Sequence, residues 1–212
     1  MSANSGKKWI FIYGPGRTGS TYLLRLVREV AKCSASDWGL GSILSPFIAM
    51  PEGIDKKRFL RELGNNLLDS SKRNDEGQID LVIKSACGNA AEFECYEKMF
   101  GPAERVIFTI REPSGYMASA VKKFPRHEIN ELQEAYIKMM AVYGKIKGEI
   151  LDYERNLKTS SYLDFLQPLN FDETTIEKFL FKGNKADHFV TQEMHSSYKK
   201  FLLENQKLVF KI

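Results

Sequence analysis

The stretch "KKWIFIYGP" runs into "GRTG" and then into "STYLLRLVREVAKC". A continuous apolar run such as "WIFIY" predicts a strand buried on both faces. Leu23, Leu24, Val27 and Val30 recur at helical spacing. The glycine-rich segment therefore joins the end of a buried strand to the start of a helix. No other feature constrains the chain as much, because such a corner aims several backbone N–H groups and the positive end of a helix dipole at one point, where an anion can sit. Gly14 and Gly19 fit the frame G-x-x-x-x-G-K-[ST] of triphosphate-binding loops, but Ser20 stands where the lysine belongs, with Thr21 after it. In such loops the lysine reaches the β- and γ-phosphates and the hydroxyl holds Mg²⁺. Without the lysine, a magnesium triphosphate fits poorly, and a single phosphate with one further anionic group fits better. Arg17 lies within the loop and can offer the same anion a planar fork of donors. Ser20 and Thr21 can add hydroxyl donors. The plainer alternative is a strand–turn–helix corner carrying an exposed arginine.

The rest of the chain supplies more units of the same kind. "DKKRFLRELGNNLLDSS" reads as a helix and "SKRNDEGQ" as a turn. "IDLVIKS" reads as a strand ending at Lys84, and "NAAEFECYEKMFG" as a helix closed by Gly101. "ERVIFTI" is a buried strand ending at Arg111, and "EPSGYMASAVKKF" a helix with Pro113 in its first turn, where the missing N–H costs little. In "HEINELQEAYIKMMAVYGKIKG", Ile129, Leu132, Tyr136, Met139, Met140, Tyr143 and Ile146 form a core-facing stripe. "EILDYE" reads as a short strand, while "TSSYLDFLQPLNFDETTIEKFLF" and "TQEMHSSYKKFLLEN" read as mostly helical. Strands alternating with helices predict an α/β fold, a central parallel sheet flanked by helices. Repeats and linkers are lacking, and 212 residues suit one domain spanning 1–212.

Bulk properties narrow the function classes. A net charge of +4, with basic and acidic residues interspersed, gives no nucleic-acid stripe. Cys33, Cys87 and Cys95 have no metal-ligand spacing, and their odd number argues against a disulfide framework, so a reducing, cytoplasmic setting is expected. "MSANSGKK" lacks the apolar stretch of a signal peptide, and no apolar run reaches the ~18 residues of a membrane span.

"GPGRTGSTYLL" resembles the 5′-phosphosulfate loop of the sulfotransferases: a basic residue, Ser/Thr, Gly, two Ser/Thr, then apolar residues. The arginine is more like the carbohydrate and tyrosyl-protein branches than the small-molecule branch, which prefers lysine. "RVIFTIREPSGYMASAV" resembles the family's 3′-phosphate motif, with Arg111 at the strand end, a proline two residues on and Ser119 eight residues on. Independently of the family, Arg111 sits at the carboxyl edge of a strand, where open α/β sheets bind ligands, and Ser119 about two turns into the next helix. A structural salt bridge for Arg111 and a solvent-facing Ser119 are the plainer readings. "ILDYE" is similar to a Tyr-Glu strand found late in many sulfotransferases. "FKGNKADHF" is similar to the lysine–glycine loop that closes over the 3′-phosphate in the small-molecule branch; Lys182 and Gly183 match, Phe181 replaces the expected arginine, and a generic loop stays an equal alternative.

The resemblance implies a P-loop-like sulfotransferase fold. It implies 3′-phosphoadenosine 5′-phosphosulfate as donor, adenosine 3′,5′-bisphosphate as product, and no metal. It also implies transfer of a sulfuryl group to a hydroxyl or amine of a small-molecule, carbohydrate or peptide acceptor, with neither nucleic acid nor membrane as partner. The nucleotide would be held by Gly16, Arg17, Thr18, Gly19, Ser20 and Thr21 at its 5′ end, by Arg111 and Ser119 at its 3′-phosphate, and by Lys182 and Gly183. Arg17 and Lys84 would act on the transferring group. The small-molecule branch keeps a catalytic histidine two residues after its strand-end lysine, and Ala86 stands there in "VIKSACGN". In the carboxylate-using branches the base follows the first helix, where Asp37 lies in "CSASDWGL"; a turn or cap aspartate is the competing reading. His127, His188 and His195 are isolated. "DWGLGSILSPFIAMP" is placed by its order in the chain as an acceptor-side loop. A divergent P-loop kinase and a nucleotide-binding module without transfer activity are the rival readings.

Overall fold

The computed structural model describes residues 8–14, 16–31, 33–36, 48–49, 51, 53–69, 79–85, 90–157 and 187–205. The strands are β1 (Trp9–Tyr13), β2 (Ser34–Ser36), β3 (Leu81–Ser85), β4 (Arg105–Ile110) and β5 (Glu149–Asp152). The α-helices are α1 (Ser20–Ala31), α2 (Ile54–Asp69), α3 (Ala90–Phe100), α4 (Pro113–Lys123), α5 (Ile129–Tyr143) and α6 (Gln192–Glu204). The strands form one five-stranded sheet in the order β2-β3-β1-β4-β5, with every pair parallel.

Alternation along the strands divides the core in two. Ile10, Ile12, Val82, Ile107 and Leu151 face α1 and meet Leu23, Leu26, Val27 and Val30 there. Trp9, Phe11, Tyr13, Leu81, Ile83, Phe108 and Ile110 point the other way, against residues of α2 to α6 such as Leu60, Tyr96, Met117, Tyr136 and Phe201. Covered on both faces, β1 is buried at all five positions, which is why it reads as an unbroken apolar run. Trp9 also satisfies its indole N–H, which donates to the Gly101 carbonyl at 3.0 Å. Gly101 has φ +84, the left-handed geometry that closes α3.

The strand order fixes where a ligand can bind. The connection leaving β1 runs toward β2, on one side, while the connection leaving β4 runs toward β5, on the other. Two adjacent strands whose connections part in this way open a crevice at their carboxyl ends. The glycine-rich loop follows β1 and Arg111 follows β4, so both lie on that crevice.

The structure differs from the sequence expectations at three places. Ser34–Ser36 is a strand, the edge of the sheet, although it has no apolar run. The strand expected over "EILDYE" stops at Asp152, and Tyr153–Leu157 wind as a π-helical turn. The reason is Asp152, whose Oδ1 accepts the backbone N–H groups of Glu154 (2.9 Å) and Arg155 (3.0 Å) and so turns the chain. Helix α5 ends at Tyr143, yet Ile146 in the following turn is still buried. No described helix is long and apolar enough to cross a membrane.

Candidate functional site

The loop is shaped from inside. The Gly14 N–H donates to the Ser85 carbonyl at 3.0 Å, tying the end of β1 to the end of β3. The Ser20 hydroxyl donates to the Gly14 carbonyl at 3.0 Å, and the hydroxyls of Thr18 and Thr109 share a hydrogen bond of 2.7 Å. Thr18 and Ser20 are buried. Ser20, expected to offer a hydroxyl donor to a ligand, here gives its O–H to the loop's own backbone. Gly14 admits no side chain, since a Cβ there would lie 2.1 Å from Ser20 Cβ and 2.3 Å from Thr109 Oγ1.

Two left-handed residues bend the loop: Gly19 at φ +87 and Arg17 at φ +80. Glycine adopts this geometry freely, but for arginine it costs about 1–2 kcal/mol. Two contacts hold Arg17 in place. Its Nε donates to Ser119 Oγ at 2.7 Å, and its carbonyl accepts from Arg111 Nη1 at 3.4 Å. The Arg17 guanidinium is partly desolvated and stands beside a second guanidinium. Burial first, and then the like charge of Arg111, lower its pKa, with Tyr153 acting the other way. Two arginines brought together against their repulsion make a concentration of positive charge suited to an anion.

Arg111 is packed on several sides. The Tyr136 hydroxyl donates to its carbonyl at 2.7 Å, which sets the chain direction after β4. Its guanidinium carbon lies 4.0 Å from the centre of the Tyr153 ring. Its Nε donates to Glu154 Oε1 at 3.4 Å. The α4 backbone approaches so closely that a Cβ on Gly115 would lie 2.6 Å from Arg111 Nε. Tyr153 and Glu154 are aimed here by the π-helical turn that Asp152 caps, and Asp152 in turn accepts a short hydrogen bond from the Tyr198 hydroxyl of α6. Burial raises the pKa of Asp152, opposed by that hydroxyl and by the backbone N–H groups.

The structure thus brings together Gly16, Arg17, Thr18, Gly19, Ser20, Thr21, Arg111 and Ser119. Lys84 is at the end of β3, opposite Ile12 in register, and is buried on the face toward α1. Next to it, Ser85 donates to the buried Glu92 at 2.7 Å, and Tyr96 donates to the same carboxylate at 2.9 Å, joining β3 to α3. Asp37, Ala86, Lys182 and Gly183 lie outside the described residues. Gly115 and Tyr136 were not singled out for the site from sequence. Glu154 and Tyr153 had a signal, the Tyr-Glu pair of "ILDYE", but their partner Arg111 is 43 positions away from Glu154.

No family model and no curated protein sequence matches the chain. Among solved structures, the sulfotransferase domain of the olefin synthase from Synechococcus PCC 7002 is similar over 95% of this chain and 89% of its own, at 14% identity and TM-score 0.50. A sugar kinase from Janibacter sp. is similar over 80% of this chain and 98% of its own, at 10% identity and TM-score 0.47. For a gluconokinase from Sinorhizobium meliloti 1021 the figures are 79% and 93%, 15% identity and TM-score 0.44. At such identities a likeness speaks for fold alone: the α/β fold with a central parallel sheet that the sulfotransferase domain also has.

Proposed function

We propose that the chain is a sulfotransferase that binds 3′-phosphoadenosine 5′-phosphosulfate and passes its sulfuryl group to an acceptor hydroxyl or amine. The observation that carries this reading is the pairing of Arg17 and Arg111 at the β1/β4 crevice, in a loop whose lysine position holds an inward-turned serine. A triphosphate loop needs that lysine; here the cationic groups are two arginines from different elements, one for each of two anionic groups of a ligand. The likeness to a sulfotransferase domain supports the same reading at the level of fold.

In this account Arg17 and the loop N–H groups hold the 5′-phosphate and the oxygens of the transferring group. Arg111 and Ser119 hold the 3′-phosphate, aided by Lys182 and Gly183. The bond between sulfur and the bridging oxygen breaks while a bond forms between sulfur and the acceptor atom. The electron pair of the broken bond stays on the bridging oxygen, which becomes part of adenosine 3′,5′-bisphosphate. Lys84 stabilises the charge growing there, and Arg17 and the loop dipoles share that task without a metal. Asp37 takes the acceptor's proton, in place of the histidine that Ala86 replaces. A general base contributes about 10²–10⁴-fold.

A screen with labelled donor against phenols, sugars, alcohols and amines tests the proposal. It expects label on at least one acceptor class, and Asp37→Asn lowering turnover on that acceptor by about 10²–10⁴-fold with bisphosphate binding intact. Wild-type turnover in Asp37→Asn would remove that residue from the mechanism. Tight bisphosphate binding with no transfer to any acceptor would make the chain a nucleotide-binding module instead.

A further inference from the structure

Two arginine–carboxylate pairs bridge the region around β4 and β5, and they are built differently. Arg105 and Glu149 form a two-point fork, with Nε to Oε1 and Nη2 to Oε2 both at 2.9 Å. Arg111 and Glu154 meet through a single contact of 3.4 Å, from Nε alone. A planar guanidinium prefers the two-point arrangement with a carboxylate. At Arg111 that arrangement is not reached: Nη1 turns to the Arg17 carbonyl, and Tyr153 lies against the guanidinium. Gly115 crowds Nε, Cζ and Nη2, since a Cβ there would fall 2.6 to 3.1 Å from them. The partners also differ in access, the Glu154 side chain being 19% exposed and that of Arg111 only 6%. The carboxylate is the member of the pair with room to leave.

We infer that Glu154 is a specificity-determining residue, an internal carboxylate that occupies Arg111 and that a ligand's second phosphate has to displace. The inference rests on the nucleotide reading above and names what sets the preference between a mononucleotide and a 3′,5′-bisphosphate. With Glu154 in place, Arg111 already faces one carboxylate, and a ligand whose one phosphate sits on the Arg17 loop has nothing to displace. A ligand carrying a 3′-phosphate brings a second negative group to Arg111 and gains only if the carboxylate yields. Glu154 therefore weakens bisphosphate binding selectively, and it keeps a buried guanidinium paired when no ligand is there.

Glu154→Gln tests this, because it keeps the shape and an acceptor oxygen while removing the charge. Affinities for adenosine 3′,5′-bisphosphate and adenosine 5′-monophosphate are measured by calorimetry on the full chain. A guanidinium released from its own carboxylate pairs the 3′-phosphate with nothing to displace, so the variant should bind the bisphosphate about tenfold or more tighter. The monophosphate should change by less than about twofold, since the loop that holds it is untouched. Glu154→Asp, one methylene shorter, should move in the same direction by less. In an Arg111→Ala background, Glu154→Gln should leave the ratio of the two affinities unchanged, because nothing is left to compete for. An unchanged or weaker bisphosphate affinity in Glu154→Gln would overturn the inference and make Glu154 a support for Arg111. Equal tightening of both ligands, or a gain that persists without Arg111, would overturn it as a general field effect. If neither ligand binds the wild-type chain, the nucleotide reading falls and the inference with it.

Discussion

Gly14→Ala is the sharpest perturbation of the loop. Gly14 has no positive φ, so the backbone itself would accept alanine; the obstacle is space. The new methyl would lie 2.1 Å from Ser20 Cβ, 2.3 Å from Thr109 Oγ1 and 2.6 Å from Ser20 Oγ. The nearest of them, Ser20 Cβ, is fixed to the backbone of α1 and cannot rotate away, so the loop has to move. Overpacking alone costs about 1–3 kcal/mol. The shift also breaks the Ser20–Gly14 and Thr18–Thr109 hydrogen bonds. Each buried group left without a partner adds about 1–3 kcal/mol. The sum is about 3–9 kcal/mol, a large part of the 5–15 kcal/mol that typically holds a domain together. For a chain of this size, at about 2–4 °C per kcal/mol, it corresponds to a fall in Tm of about 6–36 °C. Thermal unfolding followed by circular dichroism reads it directly. Gly14→Ala/Ser20→Gly removes two of the three close contacts and should recover part of the loss. A Gly14→Ala protein that melts within about 2 °C of wild type would refute the packing of the loop against Ser20 and Thr109.

Other outcomes follow from the same contacts. Gly115→Ala replaces a helical glycine, which by propensity alone gains about 0.5–1 kcal/mol; the 2.6 Å contact instead displaces Arg111. Calorimetry should then show bisphosphate affinity falling by about tenfold or more, as expected when a charged partner of a phosphate is lost, with a much smaller change for the monophosphate. Burial pushes the Cys33 thiol up from 9.0 to about 11. At pH 8 only about one Cys33 in a thousand is then thiolate, and alkylation followed by mass spectrometry should be slower in the native than in the urea-unfolded chain by about a hundredfold or more. Because the folded pKa is the higher one, the stability that protonated Cys33 contributes is complete below pH 9 and is lost as the pH rises toward about 11. Denaturant midpoints across that range, compared with Cys33→Ala, measure the loss.

The parts of the fold that were legible are those whose cause is local. An apolar run buried on both faces marks β1, and helical spacing of Leu23, Leu24, Val27 and Val30 marks α1. The loop between them follows from its glycines. Ser34–Ser36 left no trace, because a three-residue edge strand of small residues needs no apolar pattern; its pairing with β3 alone makes it a strand. Tyr153 and Glu154 directly follow the apolar pair Ile150–Leu151 and read with it as strand, and the carboxylate of Asp152, accepting the N–H groups of Glu154 and Arg155, diverts them. The site was legible in its motifs and not in its contacts. Arg111 and Ser119 stand out by spacing, but the bond from Arg17 to Ser119 joins residues 102 positions apart. The left-handed φ of Arg17 is set by tertiary contacts as well, since sequence alone would give that geometry to glycines, as at Gly19, and not to an arginine. Ser20 looked like a donor for a ligand because its neighbour pattern says so; that its hydroxyl turns inward depends on how close Gly14 comes.

The central claim is that Arg17, in a loop without the triphosphate lysine, and Arg111, after β4, together select a nucleotide with separated phosphates. Titration of the wild-type chain with adenosine 3′,5′-bisphosphate in the presence of a chelator, beside a titration with Mg–ATP, tests it most directly. The account predicts binding of the bisphosphate without any divalent cation, at least about tenfold tighter than Mg–ATP, with a matching rise in Tm that grows with ligand concentration. Mg–ATP binding as tightly as the bisphosphate, or more tightly, would contradict it and make the chain a divergent kinase.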